Sequence, residues 1–293
     1  MVNTHILSPE FAYHEPRSLT EAVALLQTHG PAAGVLAGGT DLLVQMKLGK
    51  VQVQHLVNIS RIPELRFLTS DGGLKIGPLT VHRDLEKSPA IREKFSALFE
   101  AARSVTSVQV RLMGTLGGNL CHASPAADSA PALIVLGAKI MLTGGGGTRT
   151  LPLEDFFVAP GKTGLKPGEL LAEIQVPDPG PASGSAFLKL GRVAADLAKV
   201  NVAAFIRRER DVCRECRIAS GAVAPTPVRL KKAEEVLRGQ GFGGDLCRLA
   251  GEKAAAEIQP ITDIRSTAWY RRETIKILVR DALQEAWERA GRT

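Results

Sequence analysis

Gly38-Gly39 and Gly117-Gly118 each interrupt the chain where an apolar run gives way to a helical one. The first pair lies in "VLAGGTDLLVQMK" (Val35 to Lys47): a strand, two glycines, Thr40 and Asp41, then a short amphipathic helix. The second lies in "RLMGTLGGNLCHASPAAD" (Arg111 to Asp128), where Gly114, Gly117 and Gly118 surround Thr115 and Asn119 follows. A glycine joint of this kind exposes backbone N–H groups at a helix start, where an anion is welcome, and lets a phosphate approach the main chain. The same residues also read as a glycine turn with Thr40 or Asp41 as helix cap, or as a tight chain crossing. Neither loop has the spacing G-x-G-x-x-G or that of a P-loop, which disfavours a Rossmann dinucleotide site and a nucleoside triphosphatase. Two separate loops suit an extended diphosphate ligand gripped from both sides, and the interleaved Thr115, Asn119, Ser124 and Asp128 favour that reading.

The elements around these loops predict an α+β chain rather than one doubly wound parallel sheet, because helices and strands alternate without a clean βαβ rhythm. "PRSLTEAVALLQTHG" carries a capping-box pattern at Ser18 and Glu21 and a stop at Gly30. Hairpins are expected at Asp71-Gly72 and across Gly144 to Gly147. Ser88-Pro89 opens a helix expected to run through Ile91, Phe95, Leu98 and Ala102. "LLAEIQVP" is a further strand, and "DPGPASGS" (Asp178 to Ser185) is the strongest boundary signal. Strands near "SAFLKLG", "KVNVAAFIRR" and "CRIASGAVAP" follow, then three helical segments, the last putting Ile275, Leu278, Val279 and Leu283 on one face. Three units are expected: 1–55, 56–177 and 178–293.

The net charge of +7 is spread among 30 acidic residues, and aromatics make up only 4%, so stacking platforms for nucleic acid are not expected. No run of about 18 apolar residues predicts a membrane span, and "MVNTHILSPEF" has no basic-then-apolar export signal. With only four cysteines (Cys121, Cys213, Cys216, Cys247), free thiols in a reducing cytoplasm are expected. Cys213-x-x-Cys216 has no second pair to complete a metal site and reads as two ordinary thiols. None of the six histidines pairs convincingly with a cysteine or carboxylate; His122, beside the second loop, reads as satisfying a local hydrogen bond. Neither a catalytic residue nor a metal ligand set is assigned.

In order along the chain, "EPRSLTEAVALL", "LAGGTDLLVQMK", "GTLGGNLCHASPAADSAPAL", "SAFLKLGR", "NVAAF" and "GAVAPTPVR" resemble the FAD-binding medium subunit of the molybdenum hydroxylases, the group of carbon monoxide and xanthine dehydrogenases. The resemblance implies a two-subdomain flavin fold of the PCMH/VAO type, followed by a C-terminal domain of antiparallel sheet plus helices of the CO dehydrogenase flavoprotein type. It implies that Leu36, Ala37, Gly38, Gly39, Thr40 and Asp41 form the first FAD loop, whose amides meet the diphosphate. Thr115, Leu116, Gly117, Gly118 and Asn119 would form the second. Asp128 matches an acidic residue that contacts FAD in relatives, and Leu171 an apolar one packed near the flavin. Lys189 matches a flavin-contacting lysine, with Leu188 the alternative by one residue of register. "GRVAADLAKV" resembles the loop bordering the flavin ring. "RLMGT" replaces a more polar stretch and leaves the contacts before the second loop open.

The family resemblance further implies partners: a small subunit with two [2Fe-2S] clusters and a large subunit with molybdopterin, arranged as a dimer of heterotrimers. Electrons would pass from those centres to FAD here and then to an external acceptor. A self-contained FAD-dependent oxidase or reductase is the alternative, disfavoured because no substrate-pocket signature follows the flavin region. A scaffolding module that has lost flavin is disfavoured by the intact loops.

Overall fold

The structure is a computed structural model that describes residues 10–292; residues 1–9, where no export signal was expected, and Thr293 lie outside the described residues. The chain opens with β1 (Ala12–His14), α1 (Leu19–His29), β2 (Ala33–Leu36), α2 (Leu42–Lys47) and β3 (His55–Asn58). The three strands form a parallel sheet in the order β1-β3-β2, with Ala12 and Ala33 both opposite His55. Helix α1 buries Ala22, Val23 and Leu26 in a cluster with Val57 and Ile59. Its start is fixed as the sequence predicts: the Glu21 amide donates to Ser18 Oγ at 3.1 Å. The returning Glu21 carboxylate accepts from the Arg17 amide at 2.8 Å, one residue earlier than a capping box requires.

The second unit holds β4 (Leu68–Ser70), β5 (Gly73–Ile76), α3 (His82–Lys87), α4 (Pro89–Lys94), α5 (Ser96–Ser104), α6 (Val108–Met113), α7 (Leu116–His122) and α8 (Ser129–Val135). It continues through β6 (Lys139–Gly144), β7 (Gly147–Pro152), β8 (Phe157–Ala159), β9 (Lys162–Thr163) and β10 (Leu170–Pro177). Five strands pair antiparallel in the order β4-β5-β10-β6-β7, with both expected hairpins in place. One expectation fails: the helix opening at Pro89 does not run on but breaks at Phe95, whose φ and ψ are −125° and 50°. The break lets the Phe95 ring enter the core completely, and the Ala97 amide in the first turn of α5 finds Ser185 Oγ at 3.1 Å. Burial of a large aromatic outweighs the helical hydrogen bonds given up at the break.

The third unit is an antiparallel meander, β11 (Ser183–Leu190), β12 (Val200–Glu209), β13 (Val212–Gly221) and β14 (Val228–Arg229), followed by α9 (Lys231–Leu237), α10 (Gly244–Glu257) and α11 (Ala268–Ala290). Strand alternation splits β12 between two cores. Val202, Ala204 and Ile206 face the C-terminal helices, while Ala203 and Phe205 join the core of the second unit with Leu98, Ala102 and Leu133. The observed class is α+β, with two mixed units followed by an antiparallel sheet plus helices, as expected. Among the described residues no helix is long and apolar enough to cross a membrane.

Candidate functional site

Strand β2 delivers the chain at Leu36 into the first glycine loop. Gly39 takes φ +73°, a conformation open to glycine at little cost. The amides of Ala37, Gly38, Gly39, Thr40 and Asp41 donate to no described residue. Neither Thr40 nor Asp41 caps α2 with its side chain, so the plain capping reading has no support here. Helix α2 spans six residues, so its dipole is small, and the loop's attraction for an anion comes from the five unpaired N–H groups themselves.

The second loop is built differently. Most of its amides are spent inside the protein, that of Thr115 alone donating to no described residue: Leu116 donates to Thr80 O at 2.8 Å, Gly117 to Pro78 O at 2.9 Å and Asn119 to Thr115 O at 3.0 Å. Gly118 donates to Thr115 Oγ1 at 3.1 Å, which makes Thr115 the cap of α7. The expectation of two loops with free amides therefore holds in full for the first, while the second keeps only the Thr115 amide free of a described partner. Gly117 is glycine for packing, since a Cβ there would stand 2.4 Å from the Pro78 ring. What the second loop offers a ligand is Asn119. Ser129 Oγ donates to its Oδ1 at 2.5 Å, which leaves Nδ2 directed away with no partner among the described residues.

The two loops meet. A Cβ on Gly38 would lie 2.1 Å from Met113 O, and one on Gly114 would lie 3.5 Å from Thr40 Oγ1. His122 spans the same seam, with Nε2 3.8 Å from Asp41 Oδ1 and Nδ1 3.5 Å from Gln45 Nε2. It thus does meet a carboxylate, one brought from 81 positions away in sequence by the fold, which the linear pattern could not disclose. Beneath the seam His82 is buried; desolvation, helped by the positive charge of Arg111, depresses its pKa to about 4. Arg111 itself is held by Glu86 at 3.0 Å and by the carbonyls of Val105 and Thr106. This settles the contacts of the unusual "RLMGT" stretch.

Asp128, next in the chain to the Ser129 that holds Asn119, has its own set of partners. Lys189 Nζ lies 2.6 Å from Asp128 Oδ2, with the side chains 8% and 6% exposed. Lys189 also donates to Ser104 O at 3.0 Å, and Asn201 Nδ2 donates to Asp128 Oδ1 at 2.9 Å. Burial pushes the Asp128 carboxyl up, while Lys189 and the hydrogen-bond donors pull it back. Asp128 and Lys189 are therefore bound to each other rather than standing as free charges. Along β11, Leu188 packs toward the C-terminal helices and Lys189 faces the second unit. Leu171 is buried in the core on β10, apart from these polar groups. Sequence reasoning missed Asn201, Ser129 and His82. Asn201 had a signal, being the one polar residue in the otherwise apolar "VNVAAFI" run.

Cys213 and Cys216 are free, buried thiols on β13. A hydrogen bond between them lowers the Cys213 thiol and raises that of Cys216.

The comparisons with known proteins follow this geometry from end to end. Residues 9–179 match the family described as the FAD binding domain in molybdopterin dehydrogenase, and residues 185–286 match the CO dehydrogenase flavoprotein C-terminal domain. The chain belongs to the FAD-binding subunits of the molybdopterin dehydrogenases. It is 38% identical to the carbon monoxide dehydrogenase medium chain of Hydrogenophaga pseudoflava, over 98% of this chain and 100% of the relative. It is 33% identical to the glyceraldehyde dehydrogenase medium chain of Sulfolobus acidocaldarius, over 94% and 98%. The solved Hydrogenophaga pseudoflava carbon monoxide dehydrogenase superposes with a TM-score of 0.94, covering 97% of this chain and 99% of that one. Quinoline 2-oxidoreductase from Pseudomonas putida superposes at 0.90 with 29% identity, covering 96% and 98%.

The cofactor of this flavoprotein subunit is FAD, and the residues present fit it: five unpaired amides in the first loop and the outward Asn119 Nδ2 form a donor set for a diphosphate.

Proposed function

We propose that this chain carries electrons within a multi-subunit molybdenum hydroxylase. They arrive from the [2Fe-2S] clusters of a small subunit, having started at a molybdopterin centre in a large subunit, and leave to an external acceptor. The observation that carries the reading is the run of amides at 37–41 with no partner among the described residues, set against a second, mostly self-satisfied glycine loop, in a chain matched along its length by medium subunits of such enzymes. FAD supplies the redox chemistry when bound, accepting and releasing electrons. The protein's part is positioning. The amides of Ala37 to Asp41 hold the diphosphate, with Leu36 anchoring the loop to β2. Thr115, Leu116, Gly117 and Gly118 keep the facing wall rigid, and Asn119 lends its Nδ2. Asp128 and Lys189, paired with each other, set the wall nearest the C-terminal unit, and Leu171 backs it from the core. No proton-transfer residue is required of this subunit.

Exposed Val44, Leu48, Leu112 and Met113 stand on the helices flanking the loops, which supports a protein partner seated beside the cofactor. The same reading includes a dimer of heterotrimers in the cytoplasm. It divides the chain at 55/56 and 177/178; the second cut falls at the end of β10, whereas β3 (His55–Asn58), the middle strand of the first sheet, runs across the first cut. The test is flavin reduction by a range of aldehydes, purines, N-heteroaromatics and carbon monoxide. The complex purified with its partner subunits is expected to hold one FAD per copy of this chain and to be bleached by one substrate class. The FAD-loaded chain alone is expected to stay oxidised. Reduction of the isolated chain would establish the self-contained oxidase instead, and a flavin-free complex would end both readings.

A further inference from the structure

Three histidines far apart in sequence converge beside the small parallel sheet, His14 from edge strand β1 at the level of Val57, and His29 and His55 near the start of β2. His14 ends β1, His29 ends α1 and His55 begins β3. His29 and His55 lie where β2 starts, whereas the glycine loop follows the end of β2, so this cluster is separate from the flavin site. His14 Nε2 and His55 Nδ1 are 3.0 Å apart. The His29 and His55 rings stack with centroids 3.6 Å apart, and His14 lies 5.0 Å from His29. One ring nitrogen from each residue falls within 4.8 Å of the other two, and all three side chains are half-buried. No other group of three or more potential ligands is this close among the described residues.

We propose that His14, His29 and His55 form a binding site for a borderline divalent cation such as Zn2+ or Cu2+. Three imidazole nitrogens with no carboxylate select such metals over Mg2+ or Ca2+, which require oxygen ligands. Zinc–imidazole bonds of about 2.0–2.1 Å place tetrahedral ligand nitrogens about 3.4 Å apart, against 3.0 Å for His14 and His55 and no more than 4.8 Å among all three now. Closing on an ion requires the stacked His29 and His55 rings to splay so that their lone pairs converge. Ring rotation at a half-buried surface permits this without moving the backbone. The half-exposed position leaves a fourth place for water. The ion would clip edge strand β1 and the end of α1 to β3, bracing the sheet whose far end carries the first FAD loop.

The test uses the full, tag-free chain, stripped with EDTA and titrated with Zn2+ by calorimetry and with Co2+ by visible spectroscopy. One equivalent of Zn2+ is expected to bind saturably and to raise the thermal midpoint. The Co2+ form should show ligand-field bands of nitrogen coordination. His29→Gln and His55→Asn should each weaken binding by more than about tenfold while leaving the flavin content unchanged. Absence of saturable binding to the wild-type chain, or undiminished affinity in both variants, overturns the site. Co2+ bands without nitrogen-ligand character in the wild-type chain overturn it as well, whatever the variants do on folding.

Discussion

At the scale of single residues the FAD site depends on contacts too close for any substitution. The Cβ of Gly38→Ala would fall 2.1 Å from a backbone carbonyl, which cannot swing aside as a side chain can. The two loops must part, and FAD affinity measured by flavin fluorescence should drop by about tenfold or more. His82 makes a second prediction, with a sign. Its folded pKa of about 4 lies below the unfolded value of 6.5, so the unfolded chain binds the extra proton in that window. Its contribution is complete above pH 6.5 and is lost as pH falls toward 4. Urea unfolding should show the wild-type chain losing about 2 kcal/mol more between pH 7 and pH 5 than His82→Gln, which stays neutral throughout. A parallel loss in both chains would show that another group governs the slope.

Elements here are placed by caps and close approaches rather than by propensity. Helix α7 begins where Thr115 Oγ1 accepts the Gly118 amide. Thr115→Ala should cost about 1 kcal/mol in denaturant unfolding, and Thr115→Ser should recover most of it. Helices α10 and α11 touch backbone to backbone at Gly251, where a Cβ would lie 2.4 Å from Lys276 O. Gly251→Val should therefore destabilise the chain by about 2 kcal/mol or more, because both sides of the contact are rigid. A neutral result would mean that the helices slide without loss of packing.

The whole molecule is joined through its middle. Phe187, Ala203, Phe205 and Ala219 of the C-terminal sheet complete the core of the second unit. Arg289 near the end of α11 reaches Glu100 of α5 at 2.6 Å, and the Phe187 amide donates to the same carboxylate at 2.9 Å. A chain truncated after Asp178 would expose that core face and should lose its cooperative thermal transition, readable by calorimetry. The Asp128–Lys189 pair crosses the same boundary in near-complete burial. Lys189→Met should cost about 3–5 kcal/mol by leaving a buried carboxylate unpaired, while Asp128→Leu combined with it should recover much of the loss. If the single and double variants unfold alike, the pair contributes packing only.

Much of this was legible in the linear pattern. Local signals such as Ser18 with Glu21, the Asp71-Gly72 turn and the Gly144–Gly147 turn act over a few residues, so the sequence alone determined them. The two glycine loops and the family's ordered motifs likewise announced a flavin subunit. Tertiary structure decided the rest, because those outcomes depend on partners distant along the chain. It broke the helix at Phe95 to fill a core, and it spent the second loop's amides on Pro78 and Thr80. It also bound Asp128 to Lys189 and gathered His14, His29 and His55 at one sheet end. A hydrogen bond or a buried charge is settled by what lies opposite in space, and spacing along a chain does not carry that information.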